Sequence, residues 1–207
     1  MSQHASKALP DGLEPAWDLA RLFPPQGSWS EEEYLSLPGN HLTEFDPGRV
    51  EVLETPSELH QRLVAFLFRL LLELVNRSAP GLVLFAPFPV RLWEGKIREP
   101  DLVFMHAAHA HRRKDRYWEG ADLVMEVLSP DDPKRDRDIK RREYAMAGIP
   151  EYWLIDPSDQ SVTVFVLEGD SRLYSVKGVY REGPQAVSPT LPGFAVDVRG
   201  LFRGEPA

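Results

Sequence analysis

Three residues have side chains whose types and positions could support chemistry: Asp101, Glu126 and Lys140. Glu126 is the most informative, because it lies in an apolar run, Leu-Val-Met-Glu-Val-Leu at 123–128, with apolar residues at both parities. Such a strand is expected to be covered on both faces. A carboxylate buried there needs a cation, a metal ion or a proton, because an unpaired buried charge is very costly. The alternative interpretation is a strand-end glutamate paired with an arginine.

Asp101 opens a second apolar run. The segments 101–105 (DLVFM) and 122–128 (DLVMEVL) can be neighbouring strands joined by a polar loop, which would bring the two carboxylates together. Two carboxylates and a backbone carbonyl, here that of Val127, suit a hard divalent ion such as Mg²⁺ or Mn²⁺. Because the chain has no Cys and no paired His near these acids, oxygen ligation is favoured. The alternative is an aspartate that merely begins a strand.

Lys140 lies in a predicted helix from about 133 to 147, on a face shared with Asp136 and Tyr144. This helix follows the strand of Glu126 directly, so its first turns should lie near that carboxylate. A lysine there could stabilise charge on a phosphate or position a water molecule. The alternative is a solvated helix whose charges form i,i+4 ion pairs.

The elements that would position these residues indicate a single α/β domain. Apolar residues at helical spacing predict a long helix at 56–77 with a wide apolar face, and Ser30 is a good N-cap for a short helix at about 30–36. Predicted strands lie at 49–54, 82–93, 101–105, 122–128, 151–156, 162–167, 172–177 and 194–198. We expect one central mixed β-sheet flanked by helices. Residues 1–40 are predicted to be an N-terminal arm with a short helix, and 41–207 the domain.

Composition sets further limits. The 207 residues are 43% hydrophobic and 27% charged, which suits a soluble domain. The absence of Cys excludes disulfides and thiolate metal sites and fits a cytoplasmic location. The longest apolar stretch, 63–75, contains Arg69 and Glu73 and is too short to span a bilayer, so no membrane association is expected. The net charge of −8 disfavours a protein that coats nucleic acid, but not an enzyme that contacts a few phosphates.

Other motifs carry less information. His106, His109 and His111 have a spacing that zinc sites can use, although a polar loop explains them better. The basic runs 112–114 and 141–142 could approach a phosphate backbone. Because both runs alternate with acids, a solvated face explains them equally well. The chain has no GxxxxGK[ST] phosphate loop and no GxSxG elbow, so ATP hydrolysis and serine-hydrolase chemistry lack support.

The run from Arg98 to Asp156 resembles the Uma-two family of endonucleases, within the PD-(D/E)XK nuclease superfamily. The matching pieces are 98–104 (REPDLVF), 126–130 (EVLSP), the spaced residues Asp136, Lys140 and Tyr144, and 147–156 (AGIPEYWLID). The stretch from Glu44 through Gly48 to His60-Gln61 also resembles the N-terminal part of the family. Together these pieces cover most of the chain from about 40 to 200.

The resemblance implies a restriction-endonuclease-like fold, in which Asp101 is the first acid of the motif and Glu126 the second. The wider superfamily has a lysine two residues after the second acid, where this chain has Leu128. Lys140 resembles the migrated replacement seen in the family. If Lys140 did not reach the acids, activity would be in doubt.

Two further candidates follow from the family pattern. Glu44 could be a further acid near the metal, and its alternative is an exposed glutamate before a strand. His60 begins the long helix and could face the site, although a surface or capping role is somewhat favoured.

The implied activity is metal-dependent endonucleolytic hydrolysis of DNA phosphodiester bonds with Mg²⁺ or Mn²⁺, giving a 5′-phosphate and a 3′-hydroxyl. The alternative is a catalytically inactive nuclease-fold module that binds a protein partner or nucleic acid. A homodimer would bring two sites to the two DNA strands, and the apolar C-terminal strands could supply its interface.

Overall fold

The computed structural model describes residues 23–37, 42–78, 80–129 and 134–204. The predicted N-terminal arm is therefore described only at 23–37, and its other residues lie outside the described ranges. The described α-helices are α1 (Glu31–Leu35), α2 (Glu58–Arg77), α3 (Arg141–Met146) and α4 (Val198–Arg203). A 3₁₀ helix covers Ala107–Arg112, and a π-helical segment covers Arg135–Lys140 and continues into α3.

The strands of the described residues belong to three sheets. They are β1 (Thr43–Asp46), β2 (Arg49–Val52), β3 (Gly81–Phe85), β4 (Val90–Trp93), β5 (Lys96–Arg98), β6 (Leu102–His106), β7 (Trp118–Glu119), β8 (Leu123–Val127), β9 (Glu151–Asp156), β10 (Ser161–Val166), β11 (Ser175–Tyr180), β12 (Ala186–Val187) and β13 (Ala195–Val196). The large sheet has the order β11-β10-β9-β8-β6-β3, and a second sheet has the order β2-β1-β5-β4-β7. Strands β12 and β13 pair with each other.

The large sheet is the predicted central mixed sheet. Strands β8 and β9 are parallel, and the other neighbours are antiparallel. One face packs against α2, through core residues that include Leu67, Phe104 and Met125. The opposite face packs through Val124 and Tyr144, among others, in a second core. The strand of Glu126 is thus covered on both sides, as its apolar pattern predicted.

The sequence predicted one central sheet, whereas the described residues also form a second, five-stranded sheet. Two of the predicted strands account for the difference. The predicted strand 82–93 is interrupted, because Pro87 and Pro89 lack the N–H that a continuous ladder needs. Its first half becomes β3 of the large sheet, and its second half becomes β4 of the second sheet. The predicted strand 49–54 is the second arm of a hairpin with β1.

Residues 23–37 pack against that hairpin. Gly48, at its turn, has φ of 75°, and a Cβ there would lie 2.7 Å from the carbonyl oxygen of Gly27. The N–H of Gly27 donates to the Gly48 carbonyl at 2.7 Å. Ser30 caps α1 in a reciprocal box with Glu33, as the sequence predicted. The division into an arm and a domain stays a prediction.

The predicted long helix is confirmed, and its first turn carries His60. The helix begins at Glu58, because Ser57 is the N-cap and its hydroxyl accepts from the His60 N–H at 3.2 Å. The apolar face of the helix is buried against the sheet through Leu63, Leu67 and Leu71. None of the described helices has both the length and the apolar character that a bilayer-spanning helix requires.

The Ser57 cap yields a stability prediction. Ser57→Ala should lower the free energy of unfolding by about 1 kcal/mol, because the His60 N–H loses its acceptor at the helix start. Ser57→Asp should keep most of the stability, because its carboxylate can accept the same hydrogen bond. Urea unfolding of the three proteins measures this, and equal stability of Ser57→Ala and the parent would contradict it.

Candidate active site

Asp101 and Glu126 meet where β6 and β8 lie side by side. The two strands are antiparallel, with Leu102 opposite Met125, so Asp101 lies next to the end of β8. Oδ2 of Asp101 accepts from the Val127 N–H at 2.7 Å. The Asp101 N–H in turn lies 3.4 Å from Oε2 of Glu126. The structure therefore brings the two acids together, on neighbouring strands.

Lys140 joins this pair from the π-helical segment. Its Nζ lies 3.0 Å from Oε1 of Glu126, 3.2 Å from Oε1 of Glu44 and 3.2 Å from Oδ1 of Asp136. Burial alone would lower the pKa of Lys140, but the surrounding carboxylates raise it well above its usual value. The solvated-helix alternative does not describe this residue, because its ammonium is buried among three acids.

Glu126 is buried in the way that its sequence context indicated. Its Oε1 accepts from Lys140 Nζ and from the Tyr144 hydroxyl, the latter at 2.5 Å. Burial, with the negative charges of Asp136 and Asp101, raises its pKa to about 8, although Lys140 opposes the shift. The cation beside Glu126 is thus a lysine and not the arginine of the alternative interpretation.

Glu44 behaves oppositely although it shares the same lysine. It is fully buried within β1, so the alternative of an exposed glutamate before a strand is wrong. Its Oε2 also accepts from Arg98 at 3.0 Å and from Arg135. Burial would raise its pKa, but the three cations lower it to about 2. Glu44 is therefore charged, and both of its carboxylate oxygens already contact cations.

His60 lies at the site and not on the protein surface. Its Nε2 is 3.0 Å from Oδ2 of Asp101, and the side chain is mostly buried. Burial lowers the pKa of His60, but the hydrogen bond and charge of Asp101 raise it overall. The backbone N–H of His60 belongs to the helix cap, so its ring is held at the start of α2.

These residues, except Glu44, line one cavity of about 410 Å³. Asp101, Glu126, Val127, Asp136 and Lys140 form part of its wall, and the lining also includes His60, Glu99 and Arg135. Apolar side chains from β2, from the loop after it and from the start of α2 line it as well: Val52, Leu53, Pro56 and Leu59. Acids, one ammonium group and apolar side chains therefore face a common space of ligand size.

The described residues contain no group of three or more His, Asp and Glu side chains arranged to hold a metal ion. This holds for the His cluster as well. His106 Nδ1 accepts from the Ala108 N–H, and His109 Nδ1 lies 2.8 Å from Asp122. The polar-loop interpretation thus describes these histidines better than a zinc site.

The side chains of the first basic run, 112–114, contact other groups of the protein. Arg112 donates to the Glu119 carbonyl at 2.7 Å, and Arg113 lies over the Trp118 ring at 5.5 Å while donating to a backbone carbonyl. Lys114 lies 3.6 Å from the carboxylate of Glu119. These contacts do not present the run as a row of free cations to a phosphate backbone.

Sequence reasoning missed several residues of the site. From the sequence, Asp136 is expected on the helical face of Lys140 and matches the family pattern, but it is not predicted as an acid of the site. Its four-residue spacing from Lys140 is the signal that could identify it. Arg98 is buried and bonds to Glu44 and, through two nitrogens, to Glu143. Glu99 also lines the cavity, and burial raises its pKa to about 8. The signals for it in the sequence are its position near Asp101 and its place in the matching piece 98–104.

Comparisons with known proteins agree with this architecture. The profile of the Uma2 family, described as "Putative restriction endonuclease", matches residues 31–199. A crystal structure of "a putative nuclease belonging to DUF820" from Anabaena variabilis ATCC 29413 superposes with a TM-score of 0.68 at 17% identity, covering 84% of this chain and 98% of that chain. That likeness shows the restriction-endonuclease-like fold. No curated protein matches in sequence.

The charge on Glu44 yields a pH prediction. Its pKa falls from 4.5 in the unfolded chain to about 2 in the folded protein. It therefore stabilises the fold above about pH 4.5, and this stability is lost as the pH falls toward 2. Glu44→Gln should lower the free energy of unfolding at neutral pH by on the order of 3 kcal/mol, because three cations lose their partner.

The difference between the parent and Glu44→Gln should shrink as urea unfolding is repeated at lower pH. Glu182→Gln, an exposed partner of Arg199, is the matched control and should behave like the parent. A difference that stays constant down to about pH 3 would contradict the assignment of the low pKa to Glu44.

Proposed function

We propose that this chain, which belongs to the Uma2 family, is a metal-dependent endonuclease that hydrolyses phosphodiester bonds of DNA. The observation that carries the proposal is the convergence of Asp101, Glu126 and Lys140 on one cavity. Two acids from neighbouring strands and a lysine from the following helix are the set that the family resemblance implies. Leu128, at the usual lysine position, is buried, and Lys140 reaches Glu126 instead.

The donor set fits a hard divalent cation by its chemistry. Carboxylate and carbonyl oxygens suit Mg²⁺ and Mn²⁺. Burial and mutual repulsion raise the pKa of Glu126 and that of Asp136, so a positive charge placed among them would be favoured. We propose that Asp101, Glu126 and the Val127 carbonyl would hold the ion. The chemistry supplied by such an ion is activation of a water molecule and polarisation of the scissile phosphate.

The remaining groups position these ligands or act on the phosphate. His60 holds Asp101 through its Nε2, and Tyr144 holds Glu126 through its hydroxyl. We assign to Lys140 the stabilisation of negative charge on the phosphate in the transition state, because its ammonium lies at the cavity beside Glu126. Glu44 positions Lys140, and its oxygens are bound by cations, so the earlier hypothesis of a metal-binding Glu44 is replaced by this one.

A non-catalytic nuclease-fold module is the second candidate. The observation that favours it is that Lys140 already pairs with three carboxylates, and the described residues contain no preformed group for a metal. The cytoplasm as location and a homodimer as assembly remain proposals. For the dimer, the exposed apolar residues that an interface could use include Val176 and Val179 on the edge strand β11.

The catalytic assignment predicts large losses of activity. Asp101→Asn, Glu126→Gln and Lys140→Met should each lower Mg²⁺- or Mn²⁺-dependent cleavage of plasmid and single-stranded DNA by about a hundredfold or more, because each removes a charge at the reacting phosphate or its metal. Asp159→Asn, at an exposed aspartate paired with Arg181, is the matched control and should cleave like the parent. Unchanged activity in all three site variants would refute the assignment.

Metal binding has a readout that does not depend on cleavage. Mn²⁺ at about a hundred times its Kd should raise the melting temperature by about 5–10 °C, because it binds only the native site. Asp101→Asn and Glu126→Gln should lose this shift, whereas Asp159→Asn should keep it. No shift in the parent at millimolar Mn²⁺ would favour the non-catalytic module.

A further inference from the structure

The cavity combines an acidic wall with exposed apolar side chains. Val52 on β2 is 81% exposed and Leu59 on α2 is 45% exposed, and both line the cavity together with Leu53 and Pro56. Exposed aliphatic residues at a space of this size are typical of contact with an apolar or aromatic part of a ligand. The aliphatic side chains offer neither a hydrogen bond nor a charge to the carboxylates or to Lys140. Their exposed surface is therefore available to a substrate.

The charges around the cavity exclude a long row of phosphate contacts there. Among the described residues that line it, the lysines and arginines are Arg135 and Lys140, and the ring of His60 bonds to Asp101. Arg135 bonds to Glu44 and to Glu51, and Lys140 pairs with three carboxylates. Lys134 is exposed at the start of the π-helical segment but does not line the cavity. This arrangement suits contact with one or two phosphates.

Duplex DNA would make different demands on this surface. Proteins that bind it gain affinity by neutralising a series of phosphates. The basic run 112–114 is engaged by Glu119, Asp122, Trp118 and backbone carbonyls, and the chain carries a net charge of −8. In a duplex, moreover, the faces of the bases are stacked on one another and cannot contact aliphatic side chains.

We infer that the substrate is single-stranded DNA, of which one base packs against Val52 and Leu59 while the neighbouring phosphate lies at Asp101, Glu126 and Lys140. This inference rests on the proposed nuclease function. Contact with a base face tolerates any sequence, because each base has such a face. The volume of about 410 Å³ lies within the range of pockets that hold one small ligand, and so suits a single nucleotide at a time.

The test compares a short fluorescent strand with the blunt duplex of the same sequence. Fluorescence anisotropy measures binding, in EDTA and in Mn²⁺, and gel electrophoresis measures cleavage. The single strand should bind more tightly and be cleaved faster by about tenfold. The logarithm of its binding constant should fall with the logarithm of salt concentration with a slope between about −0.7 and −1.4, as expected for one or two phosphate contacts.

Variants test the contact with the base. Val52→Ala combined with Leu59→Ala should weaken binding of the single strand by about fivefold, because apolar area is lost at the cavity. The matched control combines Leu82→Ala with Leu72→Ala, which remove exposed aliphatic side chains away from the cavity, from β3 and from α2 itself. The control should bind like the parent.

Tighter binding of the duplex, a salt slope steeper than about −4, or equal binding by the two double variants would overturn the inference. Each of these results is compatible with metal-dependent cleavage and leaves the proposed function intact. Absence of cleavage of both DNA forms by the parent, with single-strand binding that still depends on Val52 and Leu59, would contradict the proposed function and support the single-strand site.

Discussion

A single ammonium group holds three elements of this protein together. Lys140 pairs with Glu44 of the second sheet, with Glu126 of the large sheet and with Asp136 one helical turn earlier. One positive charge cannot neutralise three carboxylates, and the arginines that assist it, Arg98 and Arg135, both bind Glu44. Burial and the charges of the neighbouring carboxylates therefore raise the pKa values of Glu126 and Asp136, although Lys140 opposes this. This cluster of buried carboxylates destabilises the folded protein and would favour the binding of a divalent cation.

Much of this site could be predicted because local periodicities define it. The apolar run around Glu126, with apolar residues at both parities, and the four-residue spacing around Lys140 are properties of short stretches of sequence. The structure has a strand covered on both faces at the first and a Lys140–Asp136 contact at the second. The second sheet could not be predicted in this way. Strand β5 has three residues, two of them charged, and its buried Lys96 and Arg98 are explained only by acids such as Asp46 and Glu143, which are distant in the chain. A pattern does not reveal long-range partners of that kind.

The contrast between Glu44 and Glu126 makes the same point for electrostatics. Both are buried glutamates of strands, and both bind Lys140, yet their pKa values move in opposite directions. What separates them is the number of cations within reach, which depends on β5 and on the π-helical segment. The basic run beginning at Arg112 gives the converse case, since Arg112 and Arg113 are partly buried and donate to backbone carbonyls. In this chain a charged residue has to be interpreted through its partners.

The π-helical segment Arg135–Lys140 sets a strict limit on insertions and deletions. A π-turn contains one residue more than the regular α-helical turn. A deletion between Asp136 and Lys140 would shorten their spacing from four residues to three, which in a regular helix turns one side chain by about 100° relative to the other. Lys140 could then not keep its present contacts with both Asp136 and Glu126. The length of this segment is therefore part of the site, in addition to the identity of its side chains.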